Sequence, residues 1–231
     1  MEYYDYSVIF FIIFLRTIYL IMTLTKIISG WGGYPKTKSE IIIPKNLADF
    51  SNSLNQPFIP RGMGRSYGDS ANFNRVIQTN YLNNLIEFDQ NKGLLTVESG
   101  MTINSVLKLI VPRGWFISVS PGTSYATIGG AIASDVHGKN HHKVGTFGEH
   151  VLSIRMMLGN KDIVNITPIN MSDLFHATCG GMGLTGIILS ATIKLLPIKS
   201  SKIIQTELKS KSLEETCSIF EENEKINDSI N

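Results

Sequence analysis

Cysteine and charge are both scarce in this chain. Only two cysteines, Cys179 and Cys217, occur among 231 residues, and 17% of the residues carry a charged side chain. The cysteines do not form a C-x-x-C pair, so neither a disulfide scaffold nor a cysteine-based metal centre is predicted. Each is expected to be a small hydrophobic residue, buried or half-buried.

A dense block of Lys and Arg is also missing. The formal net charge is +2, and the basic residues are scattered along the sequence. The electrostatic footprint of a nucleic-acid binder is therefore absent, and no nucleic-acid partner is predicted. Apolar residues make up 43% of the chain, which is typical of a globular protein with a substantial core.

The longest apolar run lies at the N-terminus, in residues 7–29. It is long enough to cross a bilayer core of about 30 Å as a helix, although Arg16 near its centre opposes insertion by about 2.5 to 3.5 kcal/mol. Residues 1–29 are therefore either a membrane anchor or, in part, a misassigned start, with translation beginning at Met22. The acidic start and the lack of an A-x-A-like site argue against a secretory signal. A membrane-associated or cytoplasmic protein is expected, not a secreted one.

Beyond residue 30, short strand and helix patterns are interspersed without a regular βαβ period, which predicts an α+β fold. Strands are predicted at residues 41–43, 58–59, 94–97, 116–119, 154–158, 163–166 and 187–196. Helices are predicted at residues 47–54, 102–110 and 172–177. Thr102 is the expected N-cap of the second helix, and residues 159–162 form the expected hairpin turn.

Glycine is concentrated in clusters. Because glycine in regular structure costs roughly 0.5 to 1 kcal/mol relative to alanine, such clusters indicate tight turns or backbone that approaches a ligand closely. The clusters are Gly62, Gly64 and Gly68; Gly122, Gly129, Gly130 and Gly138; and Gly180, Gly181, Gly183 and Gly186.

The first cluster lies in the segment PRGMGRSYGDS, residues 60–70. Its glycines alternate with Arg61 and Arg65, so exposed backbone N–H groups stand beside guanidinium groups. Such a loop suits a pyrophosphate, held by amide groups and by charge-assisted hydrogen bonds. The alternative is a solvent-exposed glycine loop without a ligand.

The third cluster, residues 181–186, matches the dinucleotide pattern G-x-G-x-x-G letter for letter. That fingerprint requires a strand before it and a helix after it, so that the helix N-terminus meets the phosphate. Here a helical pattern precedes the glycines and a strand pattern follows. A nicotinamide site of the Rossmann type is therefore not predicted.

Three histidines lie close together, at His137, His141 and His142. Metal ligation is a minority hypothesis, because no carboxylate or cysteine stands at a supporting helical spacing. Hydrogen bonding within a loop is the favoured interpretation, and no metal site is predicted.

Taken together, several blocks resemble the FAD-linked oxidases that have a PCMH-type FAD-binding domain. The blocks are GWG at residue 30, RGMGRSYGDS, PGTSYATIGGAIASDVHGKNHHKVGTFGEHV, and LFHATCGGMGLTGIILSATIKLLP. The HGKNHH and GGMGLTGII blocks resemble the branch of the decaprenylphosphoryl-β-D-ribose 2′-oxidases in particular. The resemblance implies α+β subdomains that clamp FAD between them, within residues 30–197.

By this resemblance FAD is held non-covalently, although His137 stands where related oxidases can carry a covalent flavin. Tyr67 and Lys139 are implied to face the substrate side. The implied cofactor-binding residues are Pro60, Arg61, Gly62, Met63, Gly64, Arg65, Ser66, Tyr67, Gly68, Asp69, Ser70, Gly122, Thr123, Thr127, Ile128, Gly129, Gly130, Ser134, Asp135, Val136, His137, Gly138 and Ile188.

The implied reaction is oxidation of a secondary alcohol of a sugar, with hydride transfer to the flavin. A small-molecule or lipid-linked sugar is the implied substrate, of the polyprenyl-phosphoryl pentose type. Residues 198–231 resemble only the first helix of the family's substrate (cap) domain. The sequence is thus expected to be a fragment, half of a split enzyme with a separate C-terminal half, or a flavin binder without turnover. A reductase-type epimerase is a further candidate partner, and the sequence assigns no catalytic base.

Overall fold

The structure is a computed structural model that describes residues 22–44, 49–50 and 54–228. The chain contacts divide it into a unit that ends at Lys199 and a smaller unit that begins at Ser200. The larger unit holds both sheets described below and the cleft between their connecting loops.

The first sheet combines antiparallel and parallel pairing. Its strands are β1 (Met22–Ile28), β2 (Thr37–Ile43), β3 (Ile59–Arg61) and β4 (Arg75–Gln78). They lie in the order β1-β2-β4-β3. β1 is antiparallel to β2, whereas β2 and β3 each run parallel to β4. Because β3 and β4 are parallel, the chain must cross back between them, and the glycine-rich loop makes this crossing.

The second sheet is antiparallel throughout its described pairs. Its strands are β5 (Leu85–Asp89), β6 (Leu94–Glu98), β7 (Trp115–Ile117), β8 (Val151–Met157), β9 (Ile163–Ile166) and β10 (Ile187–Pro197). They lie in the order β5-β6-β10-β8-β9, and β7 pairs with the end of β10. The predicted hairpin turn between β8 and β9 is confirmed, with Leu158 N–H donating to the Asp162 carbonyl at 2.9 Å.

Short helices cover the second sheet, and the first two begin at side-chain caps. They are α1 (Ile103–Ile110), α2 (Ile128–Ala133), α3 (His141–Val144) and α4 (Ser172–Thr178). Thr102 caps α1 as predicted, since its hydroxyl accepts the Ser105 N–H at 3.2 Å. Thr127 caps α2 in the same way, accepting the Gly130 N–H at 3.1 Å.

The core has a large part and a seam. The large part packs α1, α2 and α4 onto the second sheet, with residues such as Val106, Ile128 and Ile154 fully buried. The seam joins the sheets: Ile42 and Ile77 of the first sheet pack with Met157, Ile187 and Leu189 of the second. The α+β fold predicted from the sequence is confirmed, and the seam fixes the loops of one sheet against those of the other.

The interpretation of residues 7–29 as one apolar helix is wrong for its last part. Met22–Ile28 form strand β1, because every residue from Met22 to Ile28 has a partner on β2. Residues 1–21 lie outside the described part of the chain. Among the described residues, no helix is both long enough and apolar enough to cross a membrane.

The structure tests other local predictions as well. Asp49 and Phe50 are helical, in agreement with the helix predicted at residues 47–54, and most of the rest of that helix lies outside the described residues. Cys179 is partly buried as expected, whereas the prediction for Cys217 is wrong because that residue is exposed. Cys217 lies on α5 (Leu213–Asp228), the helix of the smaller unit.

Candidate functional site

A cleft of about 610 Å³ opens where the loops of the two sheets meet. One wall is the glycine-rich loop after β3, residues 60–71. The floor comes from the start of α2 and the segment after it, and a further wall comes from the glycines before β10. Its volume lies in the range of about 300 to 1,000 Å³ that is usual for ligand sites.

The glycine-rich loop offers backbone donors to this cleft. The N–H groups of residues 63–67 donate no hydrogen bond to any other described residue. Gly64 has φ +63°, and a side chain there would collide with the Arg61 guanidinium. These N–H groups are therefore available to an anionic ligand, and an anion-binding nest uses such groups.

Arg61 holds the loop in shape instead of pointing a free charge at a ligand. Its guanidinium donates to the Ala71 carbonyl at 2.8 Å, to Asn72 Oδ1 at 2.8 Å and to the Ser29 carbonyl at 2.7 Å. Burial lowers the pKa of Arg61 from its ordinary value. The charge-assisted bonds expected of Arg61 are thus made largely with the protein, across the loop and back to the end of β1.

Aromatic side chains form the rim of the cleft. Trp31 N–H donates to the Ser66 carbonyl at 2.9 Å, which docks the GWG segment on the loop. The rings of Trp31 and Tyr67 meet edge to face with centroids 5.8 Å apart. Arg65 lies over the ring of Tyr125 at 5.3 Å. These side chains are largely exposed, so the rim can contact whatever enters the cleft.

The glycine-rich loop touches the start of α2 directly. A Cβ on Gly62 would come within 2.5 Å of Thr127 Oγ1, and a Cβ on Gly129 would lie 2.9 Å from Ser99 Cβ. Thr127 is itself fixed by its cap bond to Gly130. Both glycines are therefore required by the close packing of the loop, α2 and Ser99.

Asp135 stabilises the segment after α2, which forms part of the floor of the cleft. It adopts φ +39°, an uncommon conformation for a residue with a side chain, and its Oδ1 accepts the Gly148 N–H at 2.8 Å. Burial, together with the negative charge of Asp135, raises the pKa of the neighbouring Cys179 to about 11. Cys179 therefore stays a neutral thiol at physiological pH and has a packing role.

His137 lies in the lining of the cleft, at the far end of the same segment. Its backbone forms an antiparallel bridge with Thr146, and its ring meets the ring of His141 with centroids 5.1 Å apart. His141 is held in turn by contact of its Nδ1 with the Gly138 carbonyl at 3.1 Å. This packing agrees with the loop hydrogen bonding favoured from the sequence.

Most of the residues implied by the resemblance line the cleft. They are Pro60, Arg61, Gly62, Met63, Gly64, Arg65, Ser66, Tyr67, Ser70, Gly122, Thr123, Thr127, Gly129, Gly130, Ser134, Val136, His137 and Ile188. The others, Gly68, Asp69, Ile128, Asp135, Gly138 and Lys139, are absent from the lining. Ile128 is fully buried in the core, and Lys139 is exposed on the turn before α3.

Sequence reasoning missed part of the lining. The missed residues are Trp31, Ala71, Thr79, Ser99, Pro121, Ala126, Ala133, Met182, Gly183 and Gly186. The third glycine cluster was a usable signal, although its order of helix, glycines and strand is the reverse of a dinucleotide fingerprint. Gly183, with φ +82°, packs so closely that a Cβ would lie 2.8 Å from Pro60 Cγ, which brings this cluster to the cleft.

A family model described as FAD binding domain matches residues 34–167, more than half of the chain. The chain belongs to this FAD-binding family. The matched region contains the glycine-rich loop, α2 and the segment that ends at His137. FAD is therefore the cofactor, as the sequence predicted, and the fold is of the PCMH type.

Named relatives agree with this assignment. The chain is 37% identical over 215 residues to decaprenylphosphoryl-beta-D-ribose oxidase of Mycolicibacterium smegmatis, covering 89% of this chain and 47% of the relative. It is 30% identical over 139 residues to human Delta(24)-sterol reductase, covering 60% and 27% respectively. It is 24% identical over 184 residues to a glycolate oxidase subunit of Bacillus subtilis, covering 73% and 39%. The chain thus spans less than half the length of each relative.

The residues of the cleft fit FAD. The row of free amides in residues 63–67 suits the pyrophosphate, which needs hydrogen-bond donors. Gly122 lines the cleft and has no atom within 4 Å of where a Cβ would stand, so a bulky group can lie close to its backbone. No Asp or Glu lines the described cleft, and Arg65 lies in its lining, so no carboxylate there opposes the binding of an anionic ligand.

Proposed function

We propose that this chain is the FAD-binding portion of a flavin-dependent oxidoreductase that oxidises a secondary alcohol of a sugar. The proposed substrate class is a polyprenyl-phosphoryl pentose. The observation that carries the proposal is the cleft itself, together with 37% identity to decaprenylphosphoryl-beta-D-ribose oxidase over 89% of this chain. The other relatives are a reductase and an oxidase subunit by name, so redox chemistry is common to them.

When bound, FAD supplies the redox chemistry by accepting a hydride from the carbinol carbon. The chain's own residues bind and orient it. Amide groups of residues 63–67 hold the pyrophosphate, and Arg61 keeps that loop closed through its bonds to Ala71, Asn72 and Ser29. Gly129 and Gly130 let the cofactor rest on the backbone of α2.

The segment from Ser134 to His137 is proposed to run along the flavin ring. The bridge to Thr146 and the bond from Gly148 to Asp135 fix this segment at both ends, so that the ring has one defined resting place. Such fixed placement matters because a misplacement of about 1 Å between reacting atoms can cost roughly 100-fold in rate. FAD is proposed to be held without a covalent bond to His137.

The exposed rim is proposed to face the sugar. Tyr67 and Trp31 offer flat apolar surface beside polar groups, a combination suited to a sugar ring. Lys139 stands outside the cleft lining, where it can meet the phosphate of a lipid-linked substrate. A substrate with a polyprenyl tail resides in a bilayer, so the protein is proposed to work at a membrane surface or from the cytoplasm against it.

Anaerobic bleaching of the flavin tests the proposal. The 231-residue chain and a fusion to the C-terminal half of the Mycolicibacterium smegmatis relative are each loaded with FAD and mixed with a polyprenyl-phosphoryl pentose. We expect the fusion to lose its absorbance near 450 nm, and the chain alone to do so about 100-fold more slowly. FAD binding without bleaching in either form would instead indicate a flavin-binding protein without turnover. Equal rates would show that this half alone positions the substrate.

A further inference from the structure

One hydroxyl in the cleft has no partner in the protein. Ser99 follows β6 directly, is 0% exposed and lines the cleft. Its Oγ makes no hydrogen bond with any residue in the described part of the chain. Asn80 Oδ1 shares this property but does not line the cleft.

The backbone of Ser99 is pinned from two sides. Its N–H donates to the Leu189 carbonyl on β10 at 2.9 Å, and its carbonyl accepts the Gly129 N–H of α2 at 2.7 Å. The side chain is also in tight contact with α2, since a Cβ on Gly129 would lie 2.9 Å from Ser99 Cβ. These contacts hold the backbone of Ser99 in place. Oγ is not accessible from the cleft in this rotamer, so the hydroxyl must rotate about χ1 to meet a group bound there.

A buried hydroxyl without a partner destabilises the protein that contains it, and such groups in native proteins call for an explanation. A second buried serine shows the contrast. Ser39 is also 0% exposed, lies outside the cleft lining, and donates its Oγ to the Phe73 carbonyl at 2.6 Å. Of these two buried serines, the one outside the cleft lining has a hydrogen-bond partner and the one in the lining has none.

We propose that Ser99 is a cofactor-binding residue whose hydroxyl forms a hydrogen bond with a polar group of bound FAD. Its partner is supplied by the ligand and not by the protein. The apoprotein is therefore less stable with this hydroxyl than without it, while the complex is tighter. The inference rests on FAD binding by this cleft and is independent of which sugar is oxidised.

The proposal predicts that loss of the Ser99 hydroxyl does not lower the stability of the apoprotein but weakens the binding of FAD. A serine with a structural role alone would not produce this combination. In Ser99→Ala, the melting temperature of the apoprotein should stay the same or rise, and the Kd for FAD should increase about 5- to 10-fold. In the matched control Ser39→Ala, the melting temperature should fall and the Kd for FAD should stay within about twofold.

The measurements are scanning fluorimetry of the apoprotein and titration of the full 231-residue chain with FAD, followed by flavin fluorescence. An unchanged or lower Kd in Ser99→Ala would overturn the proposal. Failure of the wild-type chain to bind FAD would overturn it as well. Neither assay contains a sugar substrate, so failure of the sugar-oxidation proposal would leave this result standing.

Discussion

Replacing Arg61 by lysine keeps the charge but removes the fork that closes the glycine-rich loop. The guanidinium reaches the Ala71 carbonyl and Asn72 Oδ1 through Nη1, and the Ser29 carbonyl through Nη2. A lysine ammonium is one compact donor and cannot span partners on both sides. We expect one or two of these bonds to be lost in Arg61→Lys.

The expected loss of stability in Arg61→Lys follows from the number and kind of hydrogen bonds that are lost. Hydrogen bonds that involve a charged group contribute about 1.5 to 3 kcal/mol each, and the carbonyls left behind are partly buried. Allowing for one new bond to the ammonium, Arg61→Lys should lower the free energy of unfolding by about 2 to 4 kcal/mol. This is a large fraction of the roughly 5 to 15 kcal/mol that stabilises an ordinary domain.

Arg65→Lys is the matched control. Arg65 lies four positions further along the same loop, is exposed, and contacts the ring of Tyr125. The same chemical change there should lower the free energy of unfolding by less than about 1 kcal/mol. Urea unfolding of both apoproteins, followed by circular dichroism, gives the comparison. Equal losses of stability in the two variants would refute the scaffolding role of Arg61.

Further predictions concern the floor of the cleft and the thiols. Gly129→Ala should lower the free energy of unfolding by about 1 to 3 kcal/mol in a urea titration, because its methyl group would lie 2.9 Å from Ser99 Cβ and 3.2 Å from the Ser99 carbonyl oxygen; an unchanged midpoint would contradict the packing. At pH 8, iodoacetamide should label exposed Cys217 and spare Cys179, whose pKa is raised to about 11 by burial and by Asp135. Because folding raises the pKa of the Cys179 thiol, this group's contribution to the free energy of unfolding is fully present below the ordinary pKa near 9. That contribution is lost as the pH rises through about 11. Peptide mass spectrometry checks the labelling, with labelling of both thiols in urea as the control, and rapid labelling of Cys179 in the native chain would be the contrary result.

The sequence predicts those elements whose signal is local. β6, α1 and β9 have clear periodicity or a recognisable cap, and they appear within a few residues of the predicted bounds. β1 was missed because its residues continue an apolar run that suits a helix equally well. Its strand conformation comes from pairing with β2, a contact that periodicity within Met22–Ile28 does not specify.

The candidate site likewise contains residues that local sequence predicts and residues that only tertiary contacts bring to the cleft. The loop of residues 60–70 can be recognised from the sequence, because repeated glycine lowers stability unless a tight turn or a ligand requires it. Trp31 and Gly183 stand in segments that are conspicuous in the sequence, but their place at the cleft comes from tertiary contacts with Ser66 and Pro60, which the sequence does not specify. Ser99 is the extreme case: a lone serine after a strand is unremarkable until its burial and missing partner are seen.

The most direct test of the account is to titrate the apo form of the 231-residue chain with FAD and then precipitate the complex with acid. We expect saturable binding of about one FAD per chain, with all of the flavin recovered in the supernatant after precipitation. Flavin retained in the pellet on a peptide containing His137 would contradict non-covalent binding. Absence of saturable binding would contradict the assignment of the cleft to FAD.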